Sequence, residues 1–323
     1  MNILMLSAGT RNLLVSYFLE SGFDQVVAVD ASHLAPALYT ASRHYFVPPM
    51  SDPCYLTIIE NICREERIDA ILPLREDELD LFARKRDQFE KQGIKVIVSP
   101  LSTVRLCRDK YAFYQFCKVH EIPVLLTYPS SNDVMKAIDH GEVSFPLFIK
   151  PRYGCGSINS FQARSVEFIQ SVEKNYEEEF IIQEFNNGKE YGIDIYCDLI
   201  SGDVSDIFIK EKLRMRAGET EKSRAVIIPD LFDLVEKVLA ILPCRGPVDM
   251  DVFEKDGKFF VSEINPRFGG GYPHAYLSGV NFPGNICNNV MNRANPETRG
   301  SYEEGTIGMK TQSMMVRSEK EKQ

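Results

Sequence analysis

Residues 246–283 read GPVDMDVFEKDGKFFVSEINPRFGGGYPHAYLSGVNFP, and the reading of this stretch decides the fold. Val248 to Val252 alternates apolar and acidic residues, the period of a strand with one face on a core. Asp256-Gly257 is a dipeptide suited to a tight hairpin turn. Lys258 to Ile264 supplies a second strand and runs into Asn265-Pro266-Arg267. Strand side chains alternate faces, so Asp249 and Asp251 share one face, as do Glu263 and Asn265. A hairpin then brings Asp251, Glu263 and Asn265 together, with Arg267 beside them. Hard oxygen donors of this kind suit Mg²⁺, and a guanidinium neutralises charge on a phosphoryl group in transfer. Taken alone, the same residues also fit a solvated hairpin with acids on its outer face.

The order Glu-x-Asn-Pro-Arg after an apolar strand resembles the metal-binding strand of the ATP-grasp superfamily. Phe268-Gly269-Gly270-Gly271-Tyr272-Pro273 and the later Gly279-Val280-Asn281-Phe282-Pro283 look most like the carbamoyl-phosphate synthase large-subunit branch. The resemblance implies Asp251, Glu263 and Asn265 as ligands of Mg²⁺ or Mn²⁺, and Arg267 as a catalytic residue.

Upstream, Phe145 to Pro151 is an apolar strand ending in Lys150, followed by Arg152-Tyr153-Gly154-Cys155-Gly156-Ser157. Glycines let a backbone approach an anion closely, and Lys150 adds a point charge for phosphate oxygens. No Gly-Lys-Ser/Thr follows, so this is not a Walker A loop. A plain turn would account for Gly-x-Gly-Ser alone. With Lys150 before it, the run resembles the ATP-grasp strand lysine and its phosphate-covering loop, which implies Lys150, Gly154, Gly156 and Ser157 on the nucleotide and Lys150 in catalysis as well. Lys110, in Asp109-Lys110, matches the family's basic residue ahead of the first catalytic strand. Gln183-Glu184-Phe185 matches the linker that recognises adenine, and Glu190 the carboxylate that accepts from ribose hydroxyls. Alternation puts Lys210, Lys212, Arg214 and Arg216 on one strand face, where like charges repel unless acids or an anion lie opposite. A solvated edge strand is the other account. Lys212 is expected to contact the nucleotide and Arg216 to act in catalysis.

Residues 1–100 read as strand–helix–strand units, hence a parallel sheet: strands over 2–7, 25–30, 70–74 and 95–98. Asp30 follows the second strand as in a dinucleotide fold. After Gly9 come Thr10, Arg11 and Asn12, so the remaining fingerprint glycines are missing. The expectation is a Rossmann-like scaffold without a dinucleotide. Glu76-Asp77-Glu78 follows the third strand, at the edge where such sheets gather ligands, and would suit a cationic amine. Acids at a helix N-terminus are also common for dipole reasons alone. One helix is predicted over 102–120.

The chain has 323 residues, 44% hydrophobic and 26% charged, the balance of a globular protein with ordinary cores. Its net charge of −9 argues against a nucleic-acid backbone as partner. No window approaches the roughly 18 apolar residues that a membrane span needs, and Met1 to Leu6 reads as a buried strand, not a signal peptide. Eight cysteines are scattered without a Cys-x-x-Cys pair, which points to free thiols and a cytoplasmic location.

The resemblance implies an α/β and α+β architecture. A Rossmann-like pre-ATP-grasp domain over 1–102 precedes an ATP-grasp domain over 103–316, whose small nucleotide-covering part spans about 123–183. A charged tail covers 317–323. The implied activity is an ATP- and Mg-dependent carboxylate–amine ligase acting through an acyl phosphate, with small-molecule carboxylate and amine substrates. Alternatives are a carbamoyl-phosphate synthase-like enzyme acting on bicarbonate or carbamate, and a catalytically silent ATP-binding module. A homodimer is left open.

Overall fold

The computed structural model describes residues 1–154, 159–216 and 218–317. The first unit is a five-stranded parallel sheet of order β3-β2-β1-β4-β5, with β1 Asn2–Met5, β2 Gln25–Asp30, β3 Arg43–Phe46, β4 Ala70–Leu72 and β5 Lys95–Val96. Alternate residues go to opposite faces and both sets are buried, as a parallel sheet requires. Ile3, Met5, Val26 and Ala28 meet Leu14, Val15 and Phe18 of α1 (Asn12–Leu19). Leu4, Val27 and Val29 meet α2 (Tyr55–Glu65) and α3 (Glu76–Glu90) through Ile59, Ile62, Phe82 and Phe89. β3 was not foreseen. Its Arg-His-Tyr-Phe sequence lies on the sheet edge, where no apolar run is needed.

The single helix expected over 102–120 is two, α4 (Leu101–Arg108) and α5 (Lys110–Val119). Asp109 breaks it: its carboxylate accepts from the N–H groups of Tyr111 and Ala112 at 3.1 and 3.0 Å, which caps α5. Lys110 thereby becomes the first residue of a helix.

A second, four-stranded antiparallel sheet has order β6-β9-β7-β8, with β6 Thr127–Tyr128, β7 Leu147–Pro151, β8 Phe161–Ala163 and β9 Phe180–Glu184. Val134 of α6 (Ser131–Asp139) and Ile169 and Val172 of α7 (Val166–Asn175) cover it.

The third sheet is antiparallel, of order β14-β13-β10-β11-β12-β15: β10 Glu190–Cys197, β11 Val204–Arg216, β12 Glu219–Ala225, β13 Gly246–Lys255, β14 Lys258–Asn265 and β15 Ile307–Met309. One face carries Ile193, Ile195, Ile207, Ile209, Met250 and Ile264 onto α8 (Pro229–Leu239). The opposite face is polar near the middle of the strands. Further along it becomes aromatic, with Tyr196 and Phe208 under α9 (Tyr272–Leu277) and α10 (Phe282–Val290). These helices also join the first unit: Tyr17 stacks on Tyr276 with ring centroids 3.7 Å apart, and Phe18 meets Phe268 edge-on.

Candidate active site

The expected hairpin forms as β13–β14. Its register sets Asp251 opposite Glu263 and Asp249 opposite Asn265. β10 extends both rows, with Gly192 opposite Asp251 and Asp194 opposite Asp249, and β11 adds Lys210 opposite Gly192. Cross-strand neighbours share a face, so these residues all lie on the face away from α8. Asn265 Nδ2 donates to Glu263 Oε1 at 3.3 Å. Desolvation pushes Asp251 up to about 6, with Lys212 opposing and the charges of Asp249 and Glu263 adding to the rise. Burial acts to raise Glu263 as well, but the ammonium charges of Lys150 and Lys110 outweigh it and hold this carboxyl below its usual range.

Two lysines of β11 balance these acids. Lys212 Nζ lies 2.6 Å from Asp251 Oδ1 and 2.7 Å from Glu190 Oε1. Lys210 pairs with Asp194, and the two side chains are only 2% and 1% exposed. The two stems pass over Gly192, where an added Cβ would lie 3.1 Å from Lys212 Cε and 3.2 Å from Lys210 Cε. Arg267 Nη1 donates to Asp249 Oδ2 at 3.2 Å. The single-face alternation expected for the basic run stops after Lys212. Pairing with β12 shifts between Lys212 and Arg214, and again between Arg214 and Met215. Arg214 and Arg216 are exposed and both pair with Glu221, at 2.8 and 3.4 Å. Arg216 therefore stands outside the buried charge cluster.

The second sheet supplies the facing wall. Lys150 on β7 is buried, and among the described residues its ammonium makes no hydrogen bond or ion pair. Desolvation pulls its pKa down, opposed chiefly by Glu263 and further by Asp251 and Glu190. The β13–β14 acids thus lie close enough to act on Lys150 without pairing with it. Lys110 Nζ donates to Gly154 O at 2.5 Å, and Arg152 clamps Asp109 with bonds of 2.6 and 2.8 Å, which ties the start of α5 to the end of β7. Gly154 takes φ +96°, a backbone region that favours glycine. Gly156 and Ser157 lie outside the described residues. Replacing Lys150 by Ala is expected to weaken ATP binding roughly 10–100-fold, the worth of a charge-assisted hydrogen bond to phosphate. Unchanged affinity by calorimetry would contradict a phosphate contact.

Gln183, Glu184 and Phe185 sit where the second sheet joins the third. Gln183 Nε2 donates to Thr127 Oγ1 at 3.0 Å. Glu184 accepts from Leu126 N at 3.0 Å and from Lys255 Nζ at 2.7 Å, so its carboxylate braces the joint. Phe185 is partly exposed beside it. Glu190 opens β10 and faces Lys212. The three acids of α3 separate. Asp77 pairs with Arg75, and Glu78 is buried, accepting from Ser7 Oγ and Tyr55 Oη at 2.7 Å each. Glu76 lines a cleft with Arg108 and Asn265, and neither Glu76 nor Arg108 has an ion-pair partner among the described residues.

Sequence reasoning put Asp249 beside Asp251 and Lys210 beside Lys212 without assigning either to the site, and it passed over Asp194 and Gly192. Asp194 carried a usable signal: a lone acid within the apolar run Ile193–Ile195 needs a buried partner.

Among the described residues, no set of three or more His, Cys, Asp or Glu side chains is gathered to hold a metal ion. The donors present are the Asp251 and Glu263 carboxylates, opposed in register, and the amide of Asn265. This partial oxygen set fits a Mg²⁺ ion whose other ligands are phosphate oxygens and water.

A family model described as "ATP-grasp domain" matches residues 107–271, and one described as "PylC-like, N-terminal domain" matches residues 3–97. Among curated relatives, the carbamoyl phosphate synthase large chain of Thermoplasma acidophilum is 21% identical over 286 residues, covering 78% of this chain and 27% of that one. This chain thus spans about a quarter of the length of that relative. The D-alanine–D-alanine ligase of Francisella philomiragia is 24% identical over 191 residues, covering 54% of this chain and 62% of that enzyme. Among solved structures, N5-carboxyaminoimidazole synthetase from Staphylococcus aureus complexed with ADP superposes with a TM-score of 0.73 at 16% identity, covering 95% of this chain and 79% of that one. The last likeness is one of fold.

Proposed function

Because the chain belongs to the ATP-grasp family, we propose that it is an ATP- and Mg-dependent ligase that joins a carboxylate to an amine through an acyl phosphate. One observation carries this reading. The buried ammonium of Lys150 has no ion-pair partner among the described residues, and it faces the Asp251–Glu263 carboxylate pair from the opposite sheet. An isolated buried charge is costly. Lys150 calls for an anion and the two acids call for a cation, and a metal–triphosphate supplies both.

In this reading ATP lies between the second and third sheets. Lys150 and Lys110 bind phosphate oxygens, backbone groups at Glu184 and Phe185 take the adenine, and Glu190 accepts from the ribose. Asp251, Glu263 and Asn265 would hold Mg²⁺ or Mn²⁺, which would supply charge neutralisation to the transferring phosphoryl group. Arg267, on the strand end beside these residues, holds the acid substrate in line with the γ-phosphate. A carboxylate oxygen attacks phosphorus and ADP leaves. The amine nitrogen then attacks the acyl carbon, phosphate leaves, and the amine gives up a proton. The chain needs no nucleophile of its own; it supplies position and charge. Among the described residues no cysteine is paired, and no helix is long and apolar enough to cross a membrane. A cytoplasmic location fits both features.

The test is ADP release over a panel of carboxylates and amino acids with ATP and Mg²⁺. Turnover that requires both an acid and an amine is the expected result. A separate arm supplies only bicarbonate and ammonia, because of the carbamoyl phosphate synthase relative. Sustained carbamoyl phosphate in that arm would replace the ligase reading. Tight ATP binding with no turnover on any pair would instead make the chain a silent module.

A further inference from the structure

The proposed reaction uses Asp251, Glu263 and Arg267 and leaves Asp194, Lys210 and Asp249, buried charges on the same sheet face, without a role. Lys210 pairs with Asp194, and Arg267 with Asp249. Asp194 and Asp249 are direct cross-strand neighbours, so two acids of like charge lie side by side in a largely dry place. Like charges directly opposite each other are destabilising. Lys210 satisfies Asp194 and leaves Asp249 to Arg267. The glycine loop after β14 closes over Lys210 and Asp249. A Cβ on Gly271 would lie 2.9 Å from Lys210 Cε and 3.1 Å from its Nζ, and one on Gly269 would lie 2.5 Å from Asp249 Oδ1. The loop backbone thus rests directly on these two side chains. Beneath, the Lys210 ammonium lies 5.8 Å from the centre of the Phe208 ring.

We propose that Asp194 and Lys210 are a positioning pair for Arg267, reserving the Asp249 carboxylate for the guanidinium and seating the loop that carries it. The pair touches neither nucleotide nor substrate, since both side chains are closed off beneath the loop. Without Lys210, Asp194 becomes a second acid competing for Arg267, and the guanidinium is drawn off its line. A displacement of about 1 Å can cost about 10²-fold in rate. The inference rests on the role given to Arg267 in the proposed reaction.

The test compares Lys210→Met with Lys210→Met/Asp194→Leu, which removes both charges, and with Arg267→Met. Lys210→Met is expected to lower kcat about 30–100-fold, approaching Arg267→Met, with Mg-ATP affinity within about threefold of wild type. The double variant is expected to regain at least about tenfold of that loss, which a merely structural lysine would not allow. A second measurement does not depend on turnover. In ¹⁵N-arginine spectra the Arg267 Nε–H resonance, assigned by its loss in Arg267→Lys, should move in Lys210→Met and return in the double variant. If Lys210→Met does not fold, Asp194→Asn takes its place: Lys210 then turns to Asp249, and the same resonance moves. An unmoved resonance, or a double variant as impaired as the single one, overturns the proposal. A wild-type chain that never turns over removes the ligase reading, and the resonance still decides the positioning pair.

Discussion

Glu263→Gln is expected to abolish Mg-dependent ADP release, a loss on the order of 10³-fold, while the fold persists. The substitution keeps the size of the side chain and its place opposite Asp251. It removes one of the two carboxylates available to a metal, and metal stabilisation of a phosphoryl transition state is worth several kcal/mol. Glu263 is the cleaner target of the two. Asp251 also holds Lys212, so its loss would leave a buried ammonium short of a partner. The site has a pH signature too. Asp251 is raised to about 6, and its protonated form gives up a ligand, so apparent Mg²⁺ affinity should fall as pH drops through that value. Removing Glu263 takes from Lys150 the charge that does most to hold its proton, so ATP binding should be measured both with and without Mg²⁺. Near-normal turnover of Glu263→Gln at saturating Mg²⁺ would rule out the metal assignment.

Gly192→Val is expected to be the most damaging change that alters no charge. Even a methyl group there lies 3.1 and 3.2 Å from the Cε atoms of Lys212 and Lys210, tighter than ordinary van der Waals contact. The lysine stems can give by a few tenths of an ångström, so Gly192→Ala should be mild. The branched side chain of Val forces at least one ammonium away from its acid. Breaking a buried pair costs roughly 3–5 kcal/mol because the partner charge stays behind. Urea unfolding should show a loss of about that size, together with loss of turnover. A variant as stable and active as wild type would mean that the two lysines do not need the space above Gly192.

Both predictions rest on residues that differ in how visible they were. Asp251, Glu263 and Asn265 were legible because a hairpin is a local object: its turn dipeptide and period-2 pattern set the faces within 20 residues. Lys150 was legible as a lysine closing an apolar strand. The break at Asp109 was not. The hydrophobic pattern continues from α4 into α5 and hides the local cap that Asp109 makes, and the Arg152 clamp that fixes its carboxylate comes from the residue after β7, 43 positions further on. Arg216 looked equivalent to Lys212 because alternation was carried through to the end of β11. The shifts in pairing with β12 separated them.

The order of motifs along the chain by itself determined the parallel first sheet, the antiparallel hairpin, the lysine-tipped strand and the chemical type of each candidate ligand. These depend on near neighbours and on the two-residue period of a strand. Only the tertiary structure decided which charges pair. Lys210 and Lys212 lie two residues apart with the same side-chain chemistry, yet one is sealed against Asp194 while the other reaches Asp251 and Glu190 at the open face. That division depends on the register of β10 against β11 and β13, and on glycines at 192, 269 and 271 that let backbone and lysine stems approach closely. Cross-strand register across a sheet of distant segments is set by the packing of its apolar face on α8, which no window of neighbouring residues contains.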